Sequence, residues 1–234
     1  MLPAPGQNLT GELKKTRMPM TTYPTDVSAL ILIDLLNDFL SPKGKVYSRL
    51  AAQFEKVSFV PNVTRLLAGA RAIGLQIVYA PHGLNSHSFD DVKYVPTRMV
   101  PAMENHIFWE GEFGDEFYEP FRPQAGDIVA SHHRSFDAFM GTDLDAKLKK
   151  RGIEKVIFAG ITSQTCVEGT GRHALEAGYH LTFLKDAVAE FTDEAHRAAI
   201  EISYPTFGHE VLTVDEFLPL IRQHGLAGAS SVAS

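Results

Sequence analysis

The sequence is poor in cysteine, with one residue, Cys166, in 234. A single thiol excludes an intrachain disulfide framework and a cysteine-rich metal site, and it fits a reducing, cytoplasmic setting. Long apolar runs are also missing. None reaches the roughly 18 to 20 residues that span a bilayer, so no membrane association is expected. The opening MLPAPGQNLTGELKKTRMPM lacks an apolar signal core. No extended basic stretch occurs and the formal net charge is -6, which argues against nucleic acid as a partner. There is no G-x-S-x-G elbow and no G-x4-GK[ST] phosphate loop. The run Gly169-x-Gly171-x-x-Ala174 imitates a dinucleotide fingerprint, but it falls inside a helical pattern rather than in the turn after a strand. No cofactor is expected.

What is present reads as alternating strands and helices. Ser28 to Asp34 is an apolar run ending in an acid, as suits a parallel strand covered on both faces. Asn37, Asp38 and Phe39 follow as a loop. A helix is predicted from Pro61 to Ile73, stopped by Gly74, then a strand from Leu75 to Ala80. Asp127 to Ser131 reads as a short strand leading into His132 and His133. Thr142 N-caps a helix to Arg151, and Lys155 to Gly160 is the next strand. After the turn that carries Cys166 come a helix to Ala177, a strand from Tyr179 to Leu184 and a helix from Asp193 to Tyr204. A strand from His209 to Thr213 and a helix from Asp215 to Gln223 complete the pattern. Such alternation predicts one doubly wound, three-layer α/β/α (Rossmann-like) domain over residues 26–225. Residues 1–25 form an irregular arm suited to docking on another subunit, and residues 226–234 a frayed tail.

In such sheets ligands bind beyond the carboxyl ends of the strands. Asp34, His82, the His132/His133 pair and the Gly160–Cys166 turn all fall at that edge. Cys166 sits where strand gives way to helix, with free backbone N–H groups that favour a thiolate. A buried structural cysteine is the other reading. A buried Asp34 beside the thiol could take its proton, and the GITSQTC turn offers donors for an oxyanion. Residues 82–126 are long, irregular and aromatic. They form either a lid, with Trp109 and Phe113 as the first candidates to wall a substrate, or a satellite core. Phe39, His82 and Ile161 complete the expected substrate-binding set. The spacing His82-x4-His87 matches no standard metal site, and hydrogen-bonding histidines are the simpler reading.

Three stretches together resemble the isochorismatase-like cysteine hydrolases: ALILIDLLNDFL, the segment from GDIVASHHRSFDAF through FAGITSQTCVEGTGRHALEAGYHLTFLKDA, and HRAAIEISYPTFGHEVLT. The resemblance implies a six-stranded parallel sheet and an Asp–Lys–Cys triad, with Asp34 as the acid and Cys166 as the nucleophile. It implies a cis peptide at Ile161–Thr162 and an oxyanion hole made by the Thr162 and Cys166 N–H groups. The implied activity is cleavage of a C–N bond in a small amide or carbamoyl compound through a thioester. Vinyl-ether hydrolysis of an isochorismate-like acid, or a binding protein on the same fold, are the alternatives. Family members are commonly dimers or tetramers, so a homo-oligomer is implied.

The chain departs from the pattern at the lysine. Counting five residues from Asp127 reaches His132; counting back from Phe139 reaches His133. His132 is preferred, because strand register should shift less than the loop that follows. Leu36 replaces the family's usual glutamine, and the Asp-x-His element of metal-binding members is missing, so no metal is expected.

Overall fold

The structure, a computed structural model, describes residues 21–223. Its first strand, β1 (Tyr23–Pro24), pairs in parallel with the last, β8 (Ile221–Arg222). The irregular arm expected up to residue 25 therefore gives way to ordered chain before that point. Tyr23 is fully buried, and its hydroxyl shares a 2.8 Å hydrogen bond with Thr182. The burial of one aromatic ring fixes this stretch on its own domain. Residues 1–20, and the tail expected at 226–234, lie outside the described residues.

Between β1 and β8 runs a six-stranded sheet: β2 (Ser28–Ile33), β3 (Gln76–Ala80), β4 (Ile128–Val129), β5 (Lys155–Ile161), β6 (His180–Ala189) and β7 (Glu210–Leu212). Every pairing is parallel and the spatial order is β4-β3-β2-β5-β6-β7. The apolar run of β2 is buried throughout and divides by alternation. Leu30 and Leu32 join one core with Val63, Leu66 and Leu67 of the helix Phe59–Ile73. Ala29, Ile31 and Ile33 join the other, with Leu144 and Leu148 of the helix Leu144–Lys150. Period-two packing on both faces makes the strand the middle of three layers.

Several boundaries differ from the sequence reading. Residues Asn37–Leu40 form a helical turn rather than a loop. Strand β6 continues five residues past Leu184, to Ala189, because Val188 and Ala189 pair with Gly160 and Ile161 beyond an irregularity in the ladder. The closing helix is two short turns that end at Leu220, since the chain must straighten to pair β8 with β1. Thr142 stands one residue before the N-cap position, which Asp143 holds, and its hydroxyl accepts the N–H of Leu144, the first helical residue, at 3.2 Å. The same hydroxyl donates to the Ala138 carbonyl, 2.6 Å away.

The strand order reverses direction between β2 and β5. A crevice opens at such a switch point, beyond the carboxyl ends of the two strands. The backbones there approach so closely that a Cβ on Gly160, whose φ is 128°, would overlap the Ile33 carbonyl oxygen. Only glycine fits that conformation and that spacing.

Candidate active site

Asp34 is the first residue after β2 and is completely buried, with a left-handed φ of 55°. Aspartate tolerates that region better than most residues, and such outliers cluster at functional positions. The Ile161–Thr162 peptide at the end of β5 is cis. A wide turn follows over Ser163–Val167, closed by the Val167 N–H donating to the Thr162 carbonyl at 3.1 Å. Wide turns of this kind recur at functional sites. Cys166 lies in it, buried, directly before the helix Glu168–Glu176. The turn is braced by the buried Glu190 carboxylate, which accepts the Gln164 N–H and the Phe191 N–H, each at 2.9 Å.

Two histidines compete in sequence for the third position, and the structure places His133 beside Asp34. Its Nε2 lies 2.9 Å from Asp34 Oδ1, with both side chains fully buried. The expectation of His132 is corrected by strand register. Tyr79 pairs with Val129, but His82 pairs with His133. The partner strand advances three residues while this one advances four, so one extra residue is bulged out between them. A bulge flips every later side chain to the opposite face. His132 is accordingly turned outward and half-exposed, 3.1 Å from Asp115 Oδ1 and 3.4 Å from Glu110 Oε1. Asp115 above all holds its pKa above the usual histidine value.

The hydrogen bonds of His133 constrain its protons. Nδ1 lies 2.8 Å from the Ser135 carbonyl, which can only accept, so Nδ1 carries a proton. Nε2 faces a carboxylate oxygen, so one more proton lies between His133 and Asp34. In the charge-separated form the pair is an imidazolium and a carboxylate. His82 packs its ring on His133 and on Phe108, with centroids 4.9 Å apart in both cases. Burial first, and the neighbouring His133 second, push its pKa down to about 3, so His82 is neutral.

Asp34 Oδ2 is buried and has no hydrogen-bond partner among the described residues. The group positioned to serve it is the Cys166 thiol. Burial, then the charge and hydrogen-bonding approach of Asp34, push that thiol well above its ordinary pKa. Both effects run against the thiolate that the strand-to-helix position suggests in sequence. The Thr162 backbone N–H acts in the opposite sense, favouring negative charge on sulfur. The Ser135 carbonyl lies 3.8 Å from Sγ, so one backbone oxygen faces both His133 and Cys166.

Cys166 opens on a cavity of about 570 Å³. Thr162, Thr165 and His82 share its reactive part; Phe39, Phe108, Phe136 and Phe191 supply apolar wall; Lys45, Arg49 and Arg98 supply positive charge. Of the expected substrate-binding residues, Phe39 and His82 line it. Trp109 does not, because its indole is stacked on His106 at 3.9 Å. Phe113 is exposed and offers its carbonyl to Asn37, and Ile161 is buried in the core below the site. Sequence reasoning missed Arg49, Arg98 and Phe191, which sit in irregular segments without a periodic signal. It also missed Asp38, whose buried carboxylate accepts the Lys45 N–H at 2.9 Å and the Phe108 N–H at 2.7 Å, tying the lid to the first crossover. Among the described residues, no three of His, Cys, Asp and Glu gather as a metal site would require, and no helix is long and apolar enough to cross a membrane.

Comparisons with known proteins agree with this geometry. Residues 28–216 match the isochorismatase domain family model. The chain is 30% identical over 213 residues to the ureidoacrylate amidohydrolase RutB of Variovorax paradoxus, covering 86% of this chain and 83% of that one. A cysteine hydrolase from Pseudomonas syringae pv. phaseolicola superposes with a TM-score of 0.71 at 25% identity, over 83% of this chain and 92% of that one. The N-carbamoylsarcosine amidase of Thermoplasma acidophilum gives a TM-score of 0.64 at 25% identity, over 82% and 98%. With a family match across most of its length and a site assembled at the sheet's switch point, the chain belongs to the isochorismatase family.

Proposed function

We propose that the protein is a cysteine hydrolase that cleaves the C–N bond of a small amide or carbamoyl compound through a thioester on Cys166. The observation that carries this reading is the unsatisfied Oδ2 of Asp34 beside a neutral buried thiol at the wall of a cavity. A carboxylate so placed is a general base waiting for one proton.

In the first half-reaction Asp34 takes the thiol proton as sulfur attacks the substrate carbonyl. The Thr162 and Cys166 backbone N–H groups receive the oxyanion. The tetrahedral adduct collapses, the C–N bond breaks, and Asp34 returns the proton to the leaving nitrogen. In the second, water attacks the thioester while Asp34 takes its proton, and the sulfur leaves and is reprotonated. His133, 2.9 Å from Asp34 Oδ1, orients the carboxylate between steps and stands where the family pattern has a lysine. Neutral His82 and the four phenylalanines keep the reacting groups in a dry, apolar setting.

The names of the relatives support the substrate class, since ureidoacrylate and N-carbamoylsarcosine both present a carbamoyl carbonyl. The test is a screen of amides, ureas and carbamoyl acids for ammonia release, with Cys166→Ala as control and an acid quench for mass spectrometry. A thioester mass on Cys166 during turnover is expected. Full activity of Cys166→Ala would eliminate the thiol mechanism and leave the vinyl-ether reaction as the alternative.

A further inference from the structure

The cavity that holds Cys166 also carries a charge pattern the chemistry above does not use. Lys45, Arg49 and Arg98 line it, and among the described residues no Asp or Glu does. Lys45 is already engaged, 2.9 Å from Glu112. Arg49 and Arg98 are not: among the described residues neither forms an ion pair or a side-chain hydrogen bond. By contrast Arg65, Arg71, Arg122, Arg134 and Arg172 each hold a carboxylate. Both free guanidinium groups are instead parked on one ring. Arg49 lies 4.5 Å and Arg98 5.8 Å from the centre of Phe191.

The arrangement is built from three separate elements. Arg49 ends the turn Tyr47–Arg49, Arg98 precedes the helix Met99–Glu104 in the lid, and Phe191 follows β6. Phe191 is itself fixed by the bond from its N–H to buried Glu190, the carboxylate that braces the cysteine turn. The same acid therefore sets the position of the nucleophile and of the ring that gathers the two cations. Both side chains are exposed, so water screens the two charges while the site is empty, and an entering anion meets two guanidinium groups that hold no carboxylate. A chain of net charge -6 thus presents a positive entrance to its own reactive thiol. Guanidinium forks match a carboxylate in geometry and give up water more readily than an ammonium does.

We propose that Arg49 and Arg98 form an anion subsite, and that the substrate is an amide or carbamoyl compound bearing a carboxylate at the end remote from the scissile carbonyl. The ring that both side chains contact orders them before the substrate arrives, which lowers the ordering cost of binding. This inference rests on the hydrolase reading for the reacting end and adds the identity of the other end.

The test uses matched probes: 3-ureidopropionate against N-propylurea, and succinamate against butanamide. Ammonia release by the wild-type protein should favour the acid of each pair by at least about 10-fold in kcat/KM at low salt. That preference should shrink in about 0.3 M salt. In Arg49→Gln/Arg98→Gln the acid-to-neutral ratio should fall toward one, with the change in KM. Parallel calorimetry on Cys166→Ala separates the two readings. Acids that bind in an Arg-dependent way but are never hydrolysed retain the subsite and remove the hydrolase. Turnover with no preference for the acids, or a preference the double variant keeps, removes the subsite and retains the hydrolase. Failure of every acid both to bind and to react removes both.

Discussion

Removal of His133 should disable this protein while removal of His132 should not. Both His133 and Asp34 are fully buried and 2.9 Å apart, and among the described residues Nε2 is the one hydrogen-bond partner of that carboxylate side chain. His133→Ala strands a buried carboxylate, a change that costs about 3 to 5 kcal/mol when one member of such a pair is deleted. The protein can escape part of that cost by protonating Asp34, but a protonated Asp34 is no base. Loss of general base catalysis takes away about 100- to 10,000-fold in rate. His132 is half-exposed and pairs with acids at the lid surface, where ion pairs are worth about 0 to 1 kcal/mol. Chemical unfolding of the two alanine variants, with kcat/KM from ammonia release, reads both quantities. The assignment is refuted if His132→Ala loses as much activity as His133→Ala, or if neither loses any.

Three further outcomes follow from the same geometry. The folded-state pKa of His82, depressed to about 3 from 6.5, means that its contribution to stability is present above about pH 6.5 and is lost as pH falls toward 3; in His82→Phe the acid-unfolding midpoint should move to lower pH, and an unmoved midpoint would exclude His82 as the group responsible. Because the Asp34 charge raises the thiol pKa, Asp34→Asn should alkylate with iodoacetamide at neutral pH faster than the wild type while losing turnover; slower alkylation would mean that Asp34 generates a standing thiolate. Gly160→Ala would force a methyl group into the Ile33 carbonyl at a φ of 128°, and should cost about 3 kcal/mol or more in urea unfolding, with a loss under about 1 kcal/mol refuting the close approach of β2 and β5.

The layout of the sheet and two members of the site were legible in sequence for a shared reason. Buried parallel strands are written as apolar runs, and Asp34 and Cys166 each lie just beyond one. His133 was legible only as the rival of His132, because a one-residue bulge leaves no compositional mark; the bulge appears only when Tyr79 and His82 are set beside Val129 and His133. The cavity wall was legible only where it was anchored. His82 lies two residues past β3 and Phe39 in the helical turn after β2, whereas Arg49 and Arg98 stand in irregular connections, and Phe191 lies past a strand end that the sequence places five residues too early. Trp109 and Phe113 drew attention as large aromatics, yet a ring's size does not say which way it faces, and His106 captures the indole.

The contact between Gly160 and Ile33 also bears on how a protein of this design can change. The strands that deliver the acid and the thiol are held by backbone against backbone, so their separation depends on no side chain that substitution could trade away. Reaction chemistry is thereby insulated from drift. The selecting groups stand on segments outside that clamp, on a turn, a lid and a strand exit. Such a division lets descendants exchange one substrate for another by rewriting surface loops while the bond-breaking apparatus is inherited intact.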